Sequence, residues 1–314
     1  MEDFLLTDYA PGRRHRFTIP LGFTDLPVLL IRGAAPGRTL VVTGAVHGDE
    51  YEGVRAILET FDELDPAAMA GNLLAVPVAN PPAFWAGTRT SPLDGGNLAR
   101  VFPGDPGGGP TQVIAHALGT RIIALADLYA DFHSAGVGWA MPSMAGYDES
   151  DPRSAAAAEA FGAEYLWGHP EIPPGRTVSF AKSRGIPFVY TEAWGAGRVA
   201  PSDLEMMKRG IRNLLRHLAI LPGELERVPV RMRLTGEGNI HSGINSPAEG
   251  FFIPAVSLLE PVSEGQYLGR LTNILGETTH RFTAGSAGVI GLIRQFPTVR
   301  EGDPLFLIAQ PVTG

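Results

Sequence analysis

Residues 39–53 read TLVVTGAVHGDEYEG, and this stretch decides how the chain folds. Residues 39–46 form a nearly continuous apolar run, the pattern of a parallel strand covered on both faces. The run stops abruptly at His47-Gly48-Asp49-Glu50. From about Asp49 a helix pattern takes over: Val54, Ile57, Leu58, Phe61 and Leu64 fall on one stripe at helical spacing. Acidic residues crowd its first turn, where the helix dipole favours them. Burying an imidazole and a carboxylate at such a junction is costly unless a partner uses their charge. Either HGDE is a solvated loop, or these side chains meet that partner.

The same alternation continues outward. NLLAVPVAN (72–80) reads as a second strand, and the long connection between Pro81 and Pro110 is rich in Gly and Pro and carries Arg89 and Arg100. Connections of this length are usually functional or disordered. A helix is expected over about Thr111–Ala126, strands at DLYADFHS (127–134) and AMPSMAGY (140–147), and an Ala-rich helix after Asp151. A strand follows at PFVYTEAW (187–194). The last helix, from Ser202 to about Ala219, opens with Ser202-x-x-Glu205, a capping-box pattern. Its apolar stripe is Leu204, Met207, Ile211, Leu214, Leu215 and Leu218.

Alternating strands and helices predict an α/β domain with a mainly parallel sheet. Sites in such sheets form outside the carboxyl ends of strands, where His47, His133 and Glu192 are expected. After Leu221-Pro222-Gly223 the chain changes to short β-rich runs punctuated by Gly, Pro and Ser. The expected organisation is an α/β catalytic domain over 1–224 and a small all-β module over 225–314.

The composition narrows the chemistry. The chain has 314 residues, 44% of them hydrophobic and 18% charged, enough for a sizeable core. A net charge of −8 argues against nucleic acid or an anionic membrane as the main partner. With no cysteine, disulfides and thiolate nucleophiles are excluded, and any zinc must be held by His and carboxylate. The opening MEDFLLTDYAPGRRHR lacks a long apolar stretch after a basic start, and no run approaches the ~20 apolar residues that cross a bilayer. A cytoplasmic location is the expectation.

His47 and Glu50 stand three apart in a strand-to-helix turn, and His133 ends another predicted strand. Two close ligands and a distant third make a half-open zinc site with water in the fourth position, and the metal lowers that water's pKa to ~7. HxxE is also a frequent chance pattern, so the loop reading stays open. The other histidines (15, 116, 169, 217, 241 and 280) read as surface or structural. Asp131 shares a strand face with His133 and could orient it or face a helix. Tyr190 shares a face with Glu192 and reads as core packing. Lys182 and Arg184 are close enough in sequence to reach an anionic substrate near Glu192. GDPGGGPTQV lacks the GK[ST] of a nucleotide loop, and no G-x-S-x-G elbow is present.

GAVHGDEYEG, NPPAFWAGTRTSPLDGGNLARVFPG, DFHSAG and TEAWG, in that order, resemble the succinylglutamate desuccinylase/aspartoacylase family, relatives of the zinc carboxypeptidases. The similarity runs from about residue 17 to the C-terminus. It implies a carboxypeptidase-like mixed, mainly parallel sheet flanked by helices, with a barrel-sandwich-like β domain behind it. It also implies one zinc ion per chain, held by His47, Glu50 and His133. Glu192 would match the family's general base and later proton donor, and Arg89 the arginine that polarises the scissile carbonyl. Without the resemblance, the first is a strand-end carboxylate and the second a loop arginine. Arg100 would match the arginine that grips a substrate carboxylate. There the sequence departs from the family: the usual Asp-Leu-Asn-Arg is Asn97-Leu98-Ala99-Arg100, which leaves Asn97 as the nearby substrate-binding candidate.

The tail resembles biotinyl and lipoyl carrier domains but has no lysine after Lys208, so it cannot carry such a group. It is expected to wall the cleft, restrict substrate size or form a homo-oligomer contact. The function implied is a zinc-dependent amidohydrolase that removes the acyl group from a small N-acyl amino acid or amine bearing a carboxylate. Two rivals remain: a carboxypeptidase-like hydrolase of short peptides, and a catalytically silent metal- or ligand-binding homologue.

Overall fold

A computed structural model describes residues 5–312, with the side chain of His241 outside the description. Among the described residues, nine strands and six α-helices build the first part of the chain. The strands are β1 (Arg13–Pro20), β2 (Asp25–Arg32), β3 (Ala35–Gly44), β4 (Ala70–Val76), β5 (Leu128–Phe132), β6 (Trp139–Ala140), β7 (Met144–Asp148), β8 (Tyr165–His169) and β9 (Phe188–Glu192). The helices are α1 (Glu52–Glu63), α2 (Pro81–Ala86), α3 (Pro110–Arg121), α4 (Pro152–Phe161), α5 (Thr177–Ser183) and α6 (Pro201–His217).

The sheet runs in the order β1-β2-β4-β3-β5-β9-β7-β8. Its centre, β4-β3-β5-β9, is parallel, whereas β1 and β2 are antiparallel additions and β7 runs against β9. Residues 40–44 pair with 128–132 across β3 and β5, and residues 129–132 with 188–191 across β5 and β9. That register sets Thr43 beside Asp131 and Asp131 beside Tyr190. It also brings the carboxyl ends of three central strands together, at the place where such sheets hold their sites.

Strand alternation sends side chains to two cores. Leu40 and Val42 join Ile57, Phe61, Phe161, Ile211 and Leu214 under α1, α4 and α6. Val41 joins Leu74, Tyr129, Ile114, Leu118 and Phe188 under α3 and α5. All six residues of the α6 stripe are buried, each worth ~1.5–3 kcal/mol relative to exposure. Ile211, 1% exposed, would cost about 2–5 kcal/mol if cut to alanine.

Several expectations need correction. Leu58 is 44% exposed, because helical rotation carries it past the stripe that buries Val54, Ile57 and Phe61. The capping box at Ser202 does not form: α6 starts one residue earlier, with Pro201 in its first turn and Ala200 as a cap without a side-chain bond. Proline fits there because its missing N–H is one the helix cannot use. AMPSMAGY is two separate strands, β6 and β7. The helix expected to reach Ala126 ends at Arg121 and is followed by a single 3-10 turn, Ile123–Leu125.

The remaining chain supplies β10 (Met232–Thr235), β11 (Ile244–Asn245), β12 (Gly250–Pro254), β13 (Pro261–Val262), β14 (Tyr267–Thr272), β15 (Thr278–Thr283), β16 (Gly288–Arg294), β17 (Thr298–Val299) and β18 (Pro304–Pro311). Four of them form a separate antiparallel sheet, β15-β14-β12-β17. The others extend the large sheet: β10 lies parallel to β8 and antiparallel to β18, with Leu234 opposite Trp167. Phe252, Leu271, Phe282 and Phe306 fill this part's core. Among the described residues, no helix is long and apolar enough to cross a membrane.

Candidate active site

Glu50 is the hub of the site. Its Oε1 lies 2.8 Å from Nδ1 of His47, and its Oε2 lies 2.9 Å from Nδ1 of His133. Arg89 Nη1 donates to Oε1 at 3.0 Å, and the backbone N–H of Ser134 donates to Oε2 at 3.2 Å. Arg89 can reach because α2 ends at Gly87 in a left-handed turn (φ 62°), which reverses the chain. His47 and Glu50 come from the β3–α1 turn, and His133 from the residue after β5.

The outer nitrogens fix the direction of both rings. Nε2 of His47 faces Oδ1 of Asn97 at 3.2 Å, and Nε2 of His133 faces Oδ2 of Asp131 at 2.9 Å. Asn97 Oδ1 and a carboxylate are acceptors, so each Nε2 carries the proton. Both Nδ1 atoms then turn to the Glu50 carboxylate, and the three candidate ligand atoms lie within 4.8 Å of one another. The donor set fits a divalent ion that accepts imidazole and carboxylate, zinc foremost.

Burial pushes the Glu50 carboxyl up, but the imidazoles of His47 and His133 outweigh it and hold it well below the usual range. His133 is held well above the usual histidine value: Asp131 and Glu50 together overcome its burial. Asp131 is fully buried, yet His133 and the hydroxyls of Thr177 and Thr43 keep it below the ordinary carboxylate range. His47 is pushed down to about 4 by burial and then by Arg89, and is neutral near pH 7.

Glu192 ends β9 beside this cluster. Burial first, and the charge of Glu50 second, push its carboxyl up to about 8. Its Oε2 is buried with no hydrogen-bond partner among the described residues. An acid with a pKa near the working pH and a free oxygen is placed to take and return a proton.

Three guanidinium groups face the same cavity: Arg89, Arg100 and Arg176. Burial, then the charges of Arg176 and Arg89, lower Arg100 to about 10. Loop contacts hold it there. Asp94 clamps the long connection by accepting from the backbone N–H and hydroxyl of Thr111, at 2.8 and 2.6 Å. Arg100 Nη1 donates to the Ala99 carbonyl at 2.8 Å, and the N–H of Phe102 donates to the Gly175 carbonyl at 3.0 Å, which brings Arg176 alongside. Nε of Arg176 is buried without a partner among the described residues. Crowded cations of this kind are a receptor for an anion, and a carboxylate suits their planar forks.

Arg176 did not figure among the sequence candidates. It stands in PPGRT, a Gly/Pro-rich setting like those of Arg89 and Arg100, and that likeness was the available signal. His169 and Tyr190 also line the cavity, where sequence reading had them as structural and as core packing. His169 ends β8, a strand that reading passed over. Lys182 points elsewhere, pairing with Asp148 at 2.7 Å, and neither it nor Arg184 lines the cavity. Asn97 contacts His47 and caps the Leu98–Arg100 turn by accepting from Ala99 N–H at 3.0 Å.

Sheet order and site placement put the protein in the carboxypeptidase-like class of hydrolase folds. The model of the succinylglutamate desuccinylase/aspartoacylase catalytic domain matches residues 36–218. N-alpha-acetyl-L-2,4-diaminobutyric acid deacetylase of Halomonas elongata is 34% identical, covering 96% of this chain and 93% of its own. Among solved structures, a succinylglutamate desuccinylase of a Silicibacter species superposes with a TM-score of 0.90 at 30% identity, covering 99% and 98% of the two chains. The product-bound ectoine utilization protein EutE (DoeB) of Ruegeria pomeroyi gives 0.85 at 32%, covering 91% and 89%. The chain belongs to the succinylglutamate desuccinylase/aspartoacylase family.

Proposed function

We propose that the protein is a zinc-dependent deacylase that cleaves the amide of a small N-acyl amino acid bearing a free carboxylate. The observation that carries this reading is the Glu192 carboxyl, buried, pushed up to about 8 and lacking a partner on Oε2, beside the His47/Glu50/His133 donor set.

Zinc held by those three residues supplies Lewis acidity, acidifying water and polarising an acyl oxygen. Glu192 accepts the proton that water releases as its oxygen bonds to the acyl carbon. The same carboxyl then returns that proton to the amine nitrogen as the C–N bond breaks. Arg89 donates to the oxygen that gains negative charge, a contribution of about 3 kcal/mol for a well-placed donor. Arg100 and Arg176 hold the substrate carboxylate in a two-pronged grip, and Asn97 supports the site by orienting His47.

Three arginines line the cavity beside Glu192, a setting for a small substrate that carries a carboxylate. Gly238 and Ile240, from the segment after β10, close one side. The Halomonas relative makes N-acetyl-2,4-diaminobutyrate the first substrate to try. The test is the zinc content of the purified protein together with its rates on N-acetyl amino acids and dipeptides. About one zinc per chain and a clear preference for the acyl amino acids supports the reading. A metal-free protein, or one that prefers dipeptides, overturns it.

A further inference from the structure

We infer that the Tyr190 hydroxyl reads the substrate's side chain as a hydrogen-bond acceptor, so that the favoured substrates carry a donor there, an amine above all. This deepens the deacylase reading and rests on it for the identity of the substrate backbone.

The argument starts at a backbone carbonyl. His169 Nδ1 lies 2.7 Å from the oxygen of Gly236. A carbonyl only accepts, so Nδ1 holds a proton. The ring is buried, 3% exposed, and stacks on Trp167 with centroids 5.9 Å apart. Burial and the neighbouring Arg176 press its pKa down to about 4, against the pull of the Gly236 bond, so it carries one proton. Nε2 is therefore a bare lone pair. It lies 2.6 Å from the Tyr190 hydroxyl, and only the tyrosine can donate across that gap. With its proton committed, the hydroxyl has only lone pairs left to offer.

Among the other polar groups of the cavity, Glu192 and Arg176 keep unpartnered atoms that the proposed reaction uses for the proton and the substrate carboxylate. Thr177 donates to Asp131, and Asp131 holds His133. The arginines serve the carboxylate and the acyl oxygen, while Ala99, Ile172, Val178 and Ile240 are apolar. Gly238 keeps side-chain bulk off the pair: a Cβ there would crowd them, at 2.9 Å from His169 Cε1 and 3.4 Å from the Tyr190 hydroxyl. An amine at this point satisfies the hydroxyl. A methyl leaves it unpaired, and a carboxylate sets lone pair against lone pair.

Three substrates of similar size test this on the zinc-loaded full chain: N-acetyl-2,4-diaminobutyrate, N-acetylnorvaline and N-acetylaspartate. The wild type is expected to show a KM for the amine at least about tenfold below that for norvaline, with aspartate poorest. Tyr190→Phe should raise KM for the amine about tenfold at nearly unchanged kcat, while norvaline kinetics stay within about threefold and report an intact fold. His169→Phe keeps a ring on Trp167 but frees the hydroxyl proton, so aspartate should gain several-fold relative to the amine. Equal KM values for the three substrates, or equal losses on all three in Tyr190→Phe, overturn the inference. Calorimetric binding to Glu192→Gln separates it from the deacylase reading. Tight binding of the amine without hydrolysis by the wild type would sink the reading and leave the selectivity standing; hydrolysis without selectivity does the reverse.

Discussion

Asp131 on β5 and His133 just after it meet side chain to side chain: Oδ2 of the carboxylate lies 2.9 Å from Nε2 of the imidazole. Because that contact uses the outer nitrogen, the inner one is left free to face Glu50 at 2.9 Å. Asp131 is itself fixed by Thr43 at 2.6 Å and by Thr177. In the proposed site it would keep the His133 ring in one tautomer and one orientation. Asp131→Asn preserves the shape and removes the charge. Zinc affinity, measured by competition with a chelator, should fall by about 10–100-fold while the far-ultraviolet circular dichroism is unchanged. An unaltered affinity would remove Asp131 from the metal's support.

Glu192→Gln should retain about one zinc per chain and lose kcat by a factor on the order of 10²–10⁴, since the proton carrier is gone and the ligands remain. Full activity in this variant would mean that another group moves the proton.

The arginines should separate kinetically. On the proposed mechanism Arg89 acts on charge that develops during reaction, so Arg89→Ala should lower kcat by about 10²–10³-fold with little change in KM. On the same proposal Arg100 and Arg176 hold the substrate before and during reaction alike, so Arg100→Ala and Arg176→Ala should chiefly raise KM. Steady-state kinetics on one substrate decides it, and an Arg176→Ala variant with normal KM would take that residue out of the carboxylate grip.

His169 gives a pH signature in stability. Its folded pKa of about 4 lies below the ~6.5 of an unfolded histidine. Between those values the unfolded chain binds a proton that the folded chain does not. The stabilising effect is thus complete above pH ~6.5 and is lost as pH falls towards 4, at up to about 1.4 kcal/mol per pH unit. Denaturant unfolding of the wild type minus His169→Phe should show this slope across that window. A flat difference would mean that the ring takes up its proton in the fold as readily as in the unfolded chain.

Much of the fold could be read before any coordinates. Continuous apolar runs such as 39–46 announce a strand buried on both faces, and the stripes of α1 and α6 announce helices, because burial demands those periods. The edge strand β1 gave no such signal: RRHRFTIP alternates weakly, with a single buried residue, Ile19. The reversal of β7 against β9 was equally hidden, since a short strand carries no mark of its direction. At the site, the grouping of His47, Glu50 and His133 was legible because metal-ligand chemistry restricts residue type and spacing. Arg176 and His169 were not, because each is placed by partners far away in sequence: the 97–102 loop for one, Gly236 for the other.

β10 zips onto β8 along one side and onto β18 along the other. A protein cut after residue 224 would bare the backbone row of β8, the kind of open edge through which sheets aggregate. The same cut would remove the Gly236 carbonyl, and with it the anchor that decides which nitrogen of His169 is protonated. If Tyr190 selects the side chain as proposed, folding of the tail and discrimination among substrates are coupled events. Partial melting that spares His47, Glu50 and His133 would then leave hydrolysis standing and the preference among side chains lost.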